Sequence, residues 1–208
     1  MIPSRHTRFG IITVRWMYRT LFRIFFRKVH IISTVGEKDR AILLIGNHFS
    51  WWDGFIAEHL NAKVFRKKFH IMMLEEELRP RMFLNRAGAF SISKGKRDIL
   101  ESLRYASDLL KDDNNMVVMY PQGKINSIYQ KDTVFERGIT HMLHHLTKEK
   151  FHLLFYAALV DYHSHPRPSL WLYLDHAPEV PGPEAETLAG QYAAFMDECI
   201  RQHIENTF

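Results

Sequence analysis

The chain has 208 residues, 46% hydrophobic and 25% charged, a balance typical of one well-filled globular domain and not of a disordered chain. Its longest segment without Asp, Glu, Lys or Arg runs from residue 41 to residue 52. This is too short for a membrane-spanning helix of about 20 residues. The single cysteine, Cys199, excludes an internal disulfide and a cysteine-based zinc site, so we expect a reduced, cytoplasmic setting.

The formal net charge of +5 is concentrated at the N-terminus. Residues 1–36 hold seven of the 28 Lys and Arg residues and no acidic residue, whereas residues 37–208 are close to neutral. Between bulky apolar residues, arginine recurs at every fourth position, at Arg15, Arg19, Arg23 and Arg27. This spacing predicts an amphipathic helix with an arginine stripe. We therefore expect a basic membrane-association segment at 1–36, followed by a domain at 37–208.

Two interpretations of the basic segment remain open. In the first, the helix lies on an anionic membrane, with aromatic rings among the acyl chains and guanidinium groups at the phosphates. The residues expected to contact the membrane are Arg15, Trp16, Arg19, Phe22, Arg23, Phe26 and Arg27. In the second, the helix packs on its own domain and exposes a basic face. A nucleic-acid partner is disfavoured, because no comparable basic stripe follows residue 36.

Short apolar runs alternate with helical periodicity along the rest of the chain. The predicted strands are 41–46, 69–74, 90–93, 116–120, 151–160 and 169–174. The predicted helices are 54–61, 76–85, 97–110, 135–147 and a last amphipathic helix that contains Leu188 to Ile200. Strands that alternate with helices predict a single α/β domain with a mixed, largely parallel sheet flanked by helices, preceded by the N-terminal amphipathic helix.

The segment most informative about chemistry is Asn47–Asp53, with the sequence NHFSWWD, between a predicted strand and a predicted helix. Proteins of the α/β class commonly expose reactive side chains at such a position. Four residues separate His48 from Asp53, and a turn of that length can fold the carboxylate onto one imidazole nitrogen. The other nitrogen then acts as a base. Because the segment has no competent nucleophile of its own, we predict that His48 deprotonates an external hydroxyl or water.

Two further segments follow predicted strands. In YPQGKINS, which begins at Tyr120, Pro121 and Gly123 shape a tight turn whose amides can face an anion, and Lys124 adds a positive charge. In GAFSISK, which spans 88–94, Lys94 can reach an oxyanion. Taken alone, each segment is equally consistent with an ordinary turn.

In this order, the segments resemble the PlsC-like glycerolipid acyltransferases over residues 40–160, with FERG at 135–138 and an apolar strand at 155–160 completing the pattern. The first motif of that family is N-H-x-S-x-x-D, matched here at Asn47, His48, Ser50 and Asp53. The resemblance implies a glycerol-3-phosphate acyltransferase-like fold. It also implies O-acyl transfer from acyl-CoA or acyl carrier protein to a lysolipid hydroxyl, without a metal or other cofactor. Together with this reaction, the basic helix predicts a peripheral location on the inner face of the cytoplasmic membrane.

The resemblance also implies a role for individual residues. His48 is the general base, and Asp53 orients it. The substrate-binding positions are Asn47, Ser50, Lys94, Pro121, Gln122, Gly123 and Lys124.

His141 and His145 lie one helical turn apart, but no acidic residue accompanies them, so we expect a helix face and not a metal site.

The third motif departs from the family pattern F-P-E-G-T-R-S. Gln122, Lys124 and Ile125 stand in place of Glu, Thr and Arg, and Lys94 replaces the arginine of the second motif. Loss of arginine removes a bidentate phosphate ligand, so we expect acceptors to include lysolipids other than lysophosphatidic acid. Two alternatives remain open, a catalytically weak lipid-binding protein of the same fold and an acyl-thioester hydrolase in which His48 activates water.

Overall fold

One β-sheet organises the protein. We describe it from a computed structural model that covers residues 1–36, 38–93, 96–130, 134–144, 146, 150–178 and 184–206, with backbone only at 96, 97 and 206. Within these residues the sheet has seven strands, β1 (Val29–Ser33), β2 (Ala41–Gly46), β3 (Lys68–Leu74), β4 (Ala89–Ile92), β5 (Asn115–Met119), β6 (Phe151–Asp161) and β7 (Ser169–His176). Their order is β1-β7-β6-β2-β5-β3-β4, and neighbours are parallel except β6 and β7. The predicted α/β domain with a mixed, largely parallel sheet is confirmed.

Helices cover both faces of the sheet. The described α-helices are α1 (Arg8–Phe25), α2 (Asp53–Leu60), α3 (Glu75–Leu78), α4 (Met82–Asn85), α5 (Lys96–Leu109), α6 (Gly138–His144) and α7 (Ala185–Asn206). The helix predicted over 76–85 is interrupted by a 3₁₀ turn at Arg79–Arg81. Pro80 lies in that turn, and proline lacks the N–H that a continuing helix requires. No helix in the described part of the chain is long and apolar enough to cross a membrane.

The central strand β2 shows how the sheet builds two cores. Every residue of β2 is buried, and successive side chains point to opposite faces. Ile42 and Leu44 join the cluster that contains residues of α1 and α2. Leu43 and Ile45 join the cluster that contains residues of α5, α6 and α7. A run of consecutive apolar residues is therefore the pattern expected of a strand covered on both faces.

Residues 1–36 belong to the same fold, so the boundary predicted after residue 36 is not a structural division. Strand β1 pairs in parallel with β7, with Val29 opposite Leu170. At the start of the chain, the backbone N–H of Ile2 donates to Ser91 Oγ at 2.7 Å. Strand β1 was not predicted from the sequence. A strand of five residues has a weak local pattern, and the strand that pairs with it lies far along the chain.

Helix α1 packs one face on the domain, and this corrects three of the predicted membrane contacts. Phe22 and the adjoining Phe26 are buried, so neither can reach a membrane. Arg15 is only partly exposed, and its Nε donates to the buried Glu58 carboxylate at 2.7 Å. Trp16, Arg19, Arg23 and Arg27 are exposed. Since α1 carries apolar residues on all sides, its periodicity alone cannot identify the buried face.

We expect Phe22→Ala to lower the free energy of unfolding by about 3–5 kcal/mol, because it empties a buried aromatic site between α1 and α2. Urea denaturation followed by circular dichroism measures this change. Phe9→Ala, at a side chain on the same helix that is 75% exposed, is the matched control and should change stability by less than about 0.5 kcal/mol. Equal effects of the two substitutions would contradict the described packing of α1.

Candidate active site

The two segments that carry the strongest sequence signals meet at one edge of the sheet. Strands β2 and β5 are parallel neighbours, with Ile45 opposite Met119, so the segments that follow them emerge side by side. We call residues 47–53 the His48 turn. The backbone N–H of Asn126, in the segment after β5, donates to the His48 carbonyl at 2.8 Å. The sheet topology thus brings together segments that lie more than 70 residues apart.

Asp53 is the centre of the His48 turn. Its carboxylate is almost fully buried, and Oδ2 accepts hydrogen bonds from His48 Nδ1 at 2.6 Å and from the backbone N–H groups of Phe49 and Ser50 at 2.8 and 3.0 Å. Oδ1 accepts a fourth from Ser50 Oγ at 2.8 Å. These donors compensate the cost of burying the negative charge. Asp53 is also the first residue of α2, where the helix dipole favours an anion.

The imidazole of His48 is held in one orientation and partly exposed. A carboxylate only accepts hydrogen bonds, so Nδ1 is the donor, and in the neutral form of the ring Nε2 carries the lone pair. The ring stacks on Tyr120, with centroids 4.7 Å apart and planes 17° apart. The side chain is 27% exposed, and Nε2 has no hydrogen-bond partner among the described residues. The arrangement leaves one ring nitrogen at a partly exposed position, as a general base requires.

Gln122 connects the third motif to the His48 turn. Its Oε1 accepts a hydrogen bond from the backbone N–H of His48 at 2.7 Å. Because an amide oxygen accepts here as a carboxylate oxygen does, glutamine preserves this contact while removing the negative charge. The departure from the family pattern therefore changes the charge of the site and keeps the acceptor next to His48.

Two tyrosines, the buried Tyr156 and the partly buried Tyr120, pack against the His48 turn. Tyr120 begins the predicted third motif, but neither tyrosine is predicted to hold the turn. Tyr120 donates its hydroxyl to the Asp53 carbonyl at 2.8 Å, and the hydroxyls of Tyr120 and Tyr156 lie 2.7 Å apart. Burial raises the pKa of both phenols well above the ordinary value, so both remain protonated at neutral pH. Gly46 makes room for Tyr156, because a Cβ at that position would lie 1.9 Å from the ring.

The structure corrects two predicted substrate contacts. Asn47 is buried, and its side chain donates to the Ala158 carbonyl at 3.0 Å and accepts from the Ala158 N–H at 2.9 Å. Asn47 therefore joins the end of β2 to β6 and has no surface for a substrate. Ser50 donates its hydroxyl to Asp53 and accepts from the Trp52 N–H at 3.1 Å. Its polar atoms serve the turn, a role that sequence spacing alone does not distinguish from substrate binding.

The remaining predicted contacts that the structure describes lie around the turn after β5. Pro121 is buried, and its carbonyl accepts from the Glu136 N–H at 2.8 Å. Gly123 has a φ of +68°, a conformation that favours glycine. Lys124 is exposed beside it. Lys94 and His145 lie outside the residues that the structure describes.

An apolar groove of about 540 Å³ opens next to the His48 turn. Phe49 and Trp52 of the turn form one wall, and Phe26, Tyr129, Val160 and Pro166 are among the other lining residues. Trp52 also packs on Phe22, Phe25 and Phe26 at the end of α1. We call this feature the apolar groove. Most of its lining side chains are apolar, and contact between apolar surfaces that excludes water is favourable, as it would be for a hydrocarbon chain.

Metal-ligating side chains do not surround His48 in the described part of the chain. The one group of three such side chains found there is Asp161, His163 and His203, at the end of β6 and on α7.

A comparison with protein-family models matches residues 26–154, more than half of the chain, to the family described as acyltransferase. The matched span contains the whole His48 turn and the turn at 121–124. A search of curated proteins finds no match to this chain.

We expect Gln122→Glu to keep the His48 amide protected from hydrogen exchange, because a carboxylate oxygen can accept the same hydrogen bond. Gln122→Ala removes the acceptor, and the amide should exchange about tenfold faster, the equivalent of about 1.4 kcal/mol for a lost hydrogen bond. Amide hydrogen exchange measured by NMR or mass spectrometry tests this pair. Equal protection in the alanine and glutamate variants would show that the contact does not hold the turn.

Proposed function

Because this chain belongs to the PlsC-like acyltransferase family and is an acyltransferase, we propose that it moves a fatty acyl group from an acyl thioester to a hydroxyl group of a lysolipid. The proposed donors are acyl-CoA or acyl carrier protein. The observation that carries this proposal is the contact of 2.6 Å between His48 Nδ1 and Asp53, which leaves Nε2 as a base at a partly exposed site. Lysophosphatidic acid and other lysolipids are the proposed acceptors.

The proposed reaction has two steps. His48 Nε2 takes the proton of the acceptor hydroxyl while the oxygen attacks the thioester carbonyl carbon, which forms a tetrahedral intermediate. The carbon–sulfur bond then breaks, and the imidazolium returns its proton to the departing thiolate. Asp53 stabilises the imidazolium between the two steps and keeps the ring in position. A positioned general base of this kind contributes about 10²–10⁴ in rate, and we propose no metal.

The surroundings of His48 support an assignment of substrate contacts. We propose that the apolar groove receives a hydrocarbon chain, because Phe49 and Trp52 join it directly to the His48 turn. We propose that the turn at Pro121–Lys124 contacts the acceptor head group, with Lys124 as its exposed cation. The resemblance to the family assigns a similar role to Lys94. The neutral Gln122 and the absence of the family arginine favour acceptors that need less phosphate binding.

We expect His48→Ala to lower turnover by about 10²–10⁴-fold, since the general base is removed. The assay supplies an acyl thioester with a radiolabelled acyl group, vesicles containing lysophosphatidic acid or another lysolipid, and the full chain. Transfer is measured as labelled diacyl product. His144→Ala, at an exposed histidine on α6, is the matched control and should retain wild-type turnover.

The products separate this proposal from the alternatives. Free fatty acid as the sole labelled product, whatever lysolipid is supplied, would identify a thioester hydrolase. Lipid binding without turnover in the wild-type chain would identify a catalytically weak lipid-binding protein. Full turnover in His48→Ala would overturn the proposed role of the imidazole.

The outward face of α1 supports a second part of the proposal, that the protein works on the inner face of the cytoplasmic membrane. Phe9, Ile12 and Trp16 are 75%, 66% and 69% exposed, and they lie on the side of α1 away from the buried Val14 and Tyr18. Arginines flank this apolar surface, and Arg8, Arg19 and Arg23 are exposed. An apolar strip bordered by guanidinium groups fits the boundary between acyl chains and anionic head groups.

We expect simultaneous Arg19→Gln, Arg23→Gln and Arg27→Gln substitutions to weaken binding to anionic vesicles by about 100-fold, from about 1 kcal/mol for each basic residue at the surface. Arg15 stays unchanged because it pairs with Glu58. Vesicle sedimentation measures the binding. A control with the same charge change replaces the exposed Arg104, Lys111 and Lys150 with Gln and should bind like the wild type. Equal losses in the two variants would show only an effect of net charge.

A further inference from the structure

A cluster of two histidines and one aspartate lies outside the His48 site. Asp161 ends β6, His163 lies in the loop that follows, and His203 lies in the last turns of α7. One potential ligand atom from each side chain lies within 4.8 Å of the other two. Asp161 Oδ2 is 3.3 Å from His203 Nε2 and 3.8 Å from His163 Nε2. Three separate segments of the chain therefore converge on one point.

Neighbouring groups orient two of the three side chains. Tyr173 OH lies 3.3 Å from His203 Nδ1, which directs Nε2 towards Asp161. The backbone N–H of Tyr162 donates to Asp161 Oδ1 at 3.0 Å, which directs Oδ2 towards the histidines. His163 has a φ of +45°, an unusual conformation for a residue other than glycine. Support of this kind is what metal ligands usually have, with the second imidazole nitrogen bonded to a neighbouring polar group.

We propose that Asp161, His163 and His203 form a binding site for a divalent transition-metal ion, with Zn²⁺ as the best fit. Imidazole nitrogen and carboxylate oxygen are zinc ligands, whereas Ca²⁺ and Mg²⁺ prefer oxygen ligands alone. Ligand atoms bound to one tetrahedral zinc lie about 3.3 Å apart, which is the separation of Asp161 Oδ2 and His203 Nε2. A side-chain rotation of the exposed His163 closes the remaining gap, and solvent supplies the fourth ligand.

A metal ion at this site would connect α7 to the loop that follows β6. The loop after β6 also contains Arg167, whose Nη1 donates to the Arg23 carbonyl at the end of α1 at 2.9 Å. The Pro168 carbonyl in the same loop accepts from the Arg27 N–H at 2.8 Å. Asp161 and Pro166 line the apolar groove. A metal ion at the cluster therefore joins α7 to the loop that forms a wall of the groove and contacts the end of α1.

Zinc binding to the full chain tests the proposal independently of acyl transfer. The protein is prepared without a histidine tag, stripped of metal with a chelator and titrated with zinc chloride in a calorimeter. We expect one zinc ion per chain and a higher Tm in its presence. His163→Asn removes the imidazole and, because asparagine tolerates a positive φ, keeps the loop conformation. This variant should lose saturable binding.

Two further variants make the test specific. Tyr173→Phe removes the hydroxyl next to His203 and should weaken zinc binding by about 10–100-fold. His165→Asn, at a histidine of the same loop outside the cluster, is the matched control and should bind zinc like the wild type. Circular dichroism and the Tm of the metal-free variants verify that each is folded. Absence of saturable zinc binding in the wild type, or unchanged affinity in His163→Asn, would overturn the proposal.

Discussion

The buried carboxylate of Asp53 is the interaction on which the His48 site depends. All four of its hydrogen-bond donors belong to residues 48–50, so the carboxylate closes the turn and orients the imidazole in one arrangement. The same residue begins α2, where the positive end of the helix dipole favours its charge. Removing the carboxylate would leave these four backbone and side-chain donors of a partly buried turn without their acceptor. The conformation of the His48 turn and the start of α2 therefore both depend on one side chain.

Tyr120, Tyr156 and Gln122 link the His48 turn to the neighbouring strands β5 and β6. Tyr120, after β5, stacks on His48 and donates to the Asp53 carbonyl, while Asn47 joins β2 to β6. Tyr120 contacts His48, Asp53 and Tyr156 at once, which limits the freedom of the imidazole. Precise placement of this kind is what converts a binding energy into catalysis, because the reacting groups need little further ordering. The exposed Lys124 and the apolar groove, to which we assign the substrate contacts, lie outside this network of hydrogen bonds.

Helix α1 packs on the domain through one face and exposes its other face. Its inner aromatic residues pack around His59, whose pKa is lowered to about 4 by burial and by the nearby Lys63 and Arg19. The imidazole is therefore a neutral packing group at neutral pH. Arg15 is neutralised by the buried Glu58, so the outward arginines alone contribute free positive charge. The two interpretations of this segment that the sequence left open are thus compatible, because they concern different faces of one helix.

The sequence by itself determined the alternation of strands and helices, the α/β class and the spacing of His48 and Asp53. These features are local, since a run such as residues 41–46 or a turn of four residues carries its own conformational preference. Only the tertiary structure decided that β1 joins the sheet, that Phe22 and Phe26 are buried, and that Asn47 bonds to Ala158. It also brought His203 to Asp161 from 42 residues away. Contacts between distant segments depend on how whole elements pack, and the pattern of any single segment contains no information about its partner.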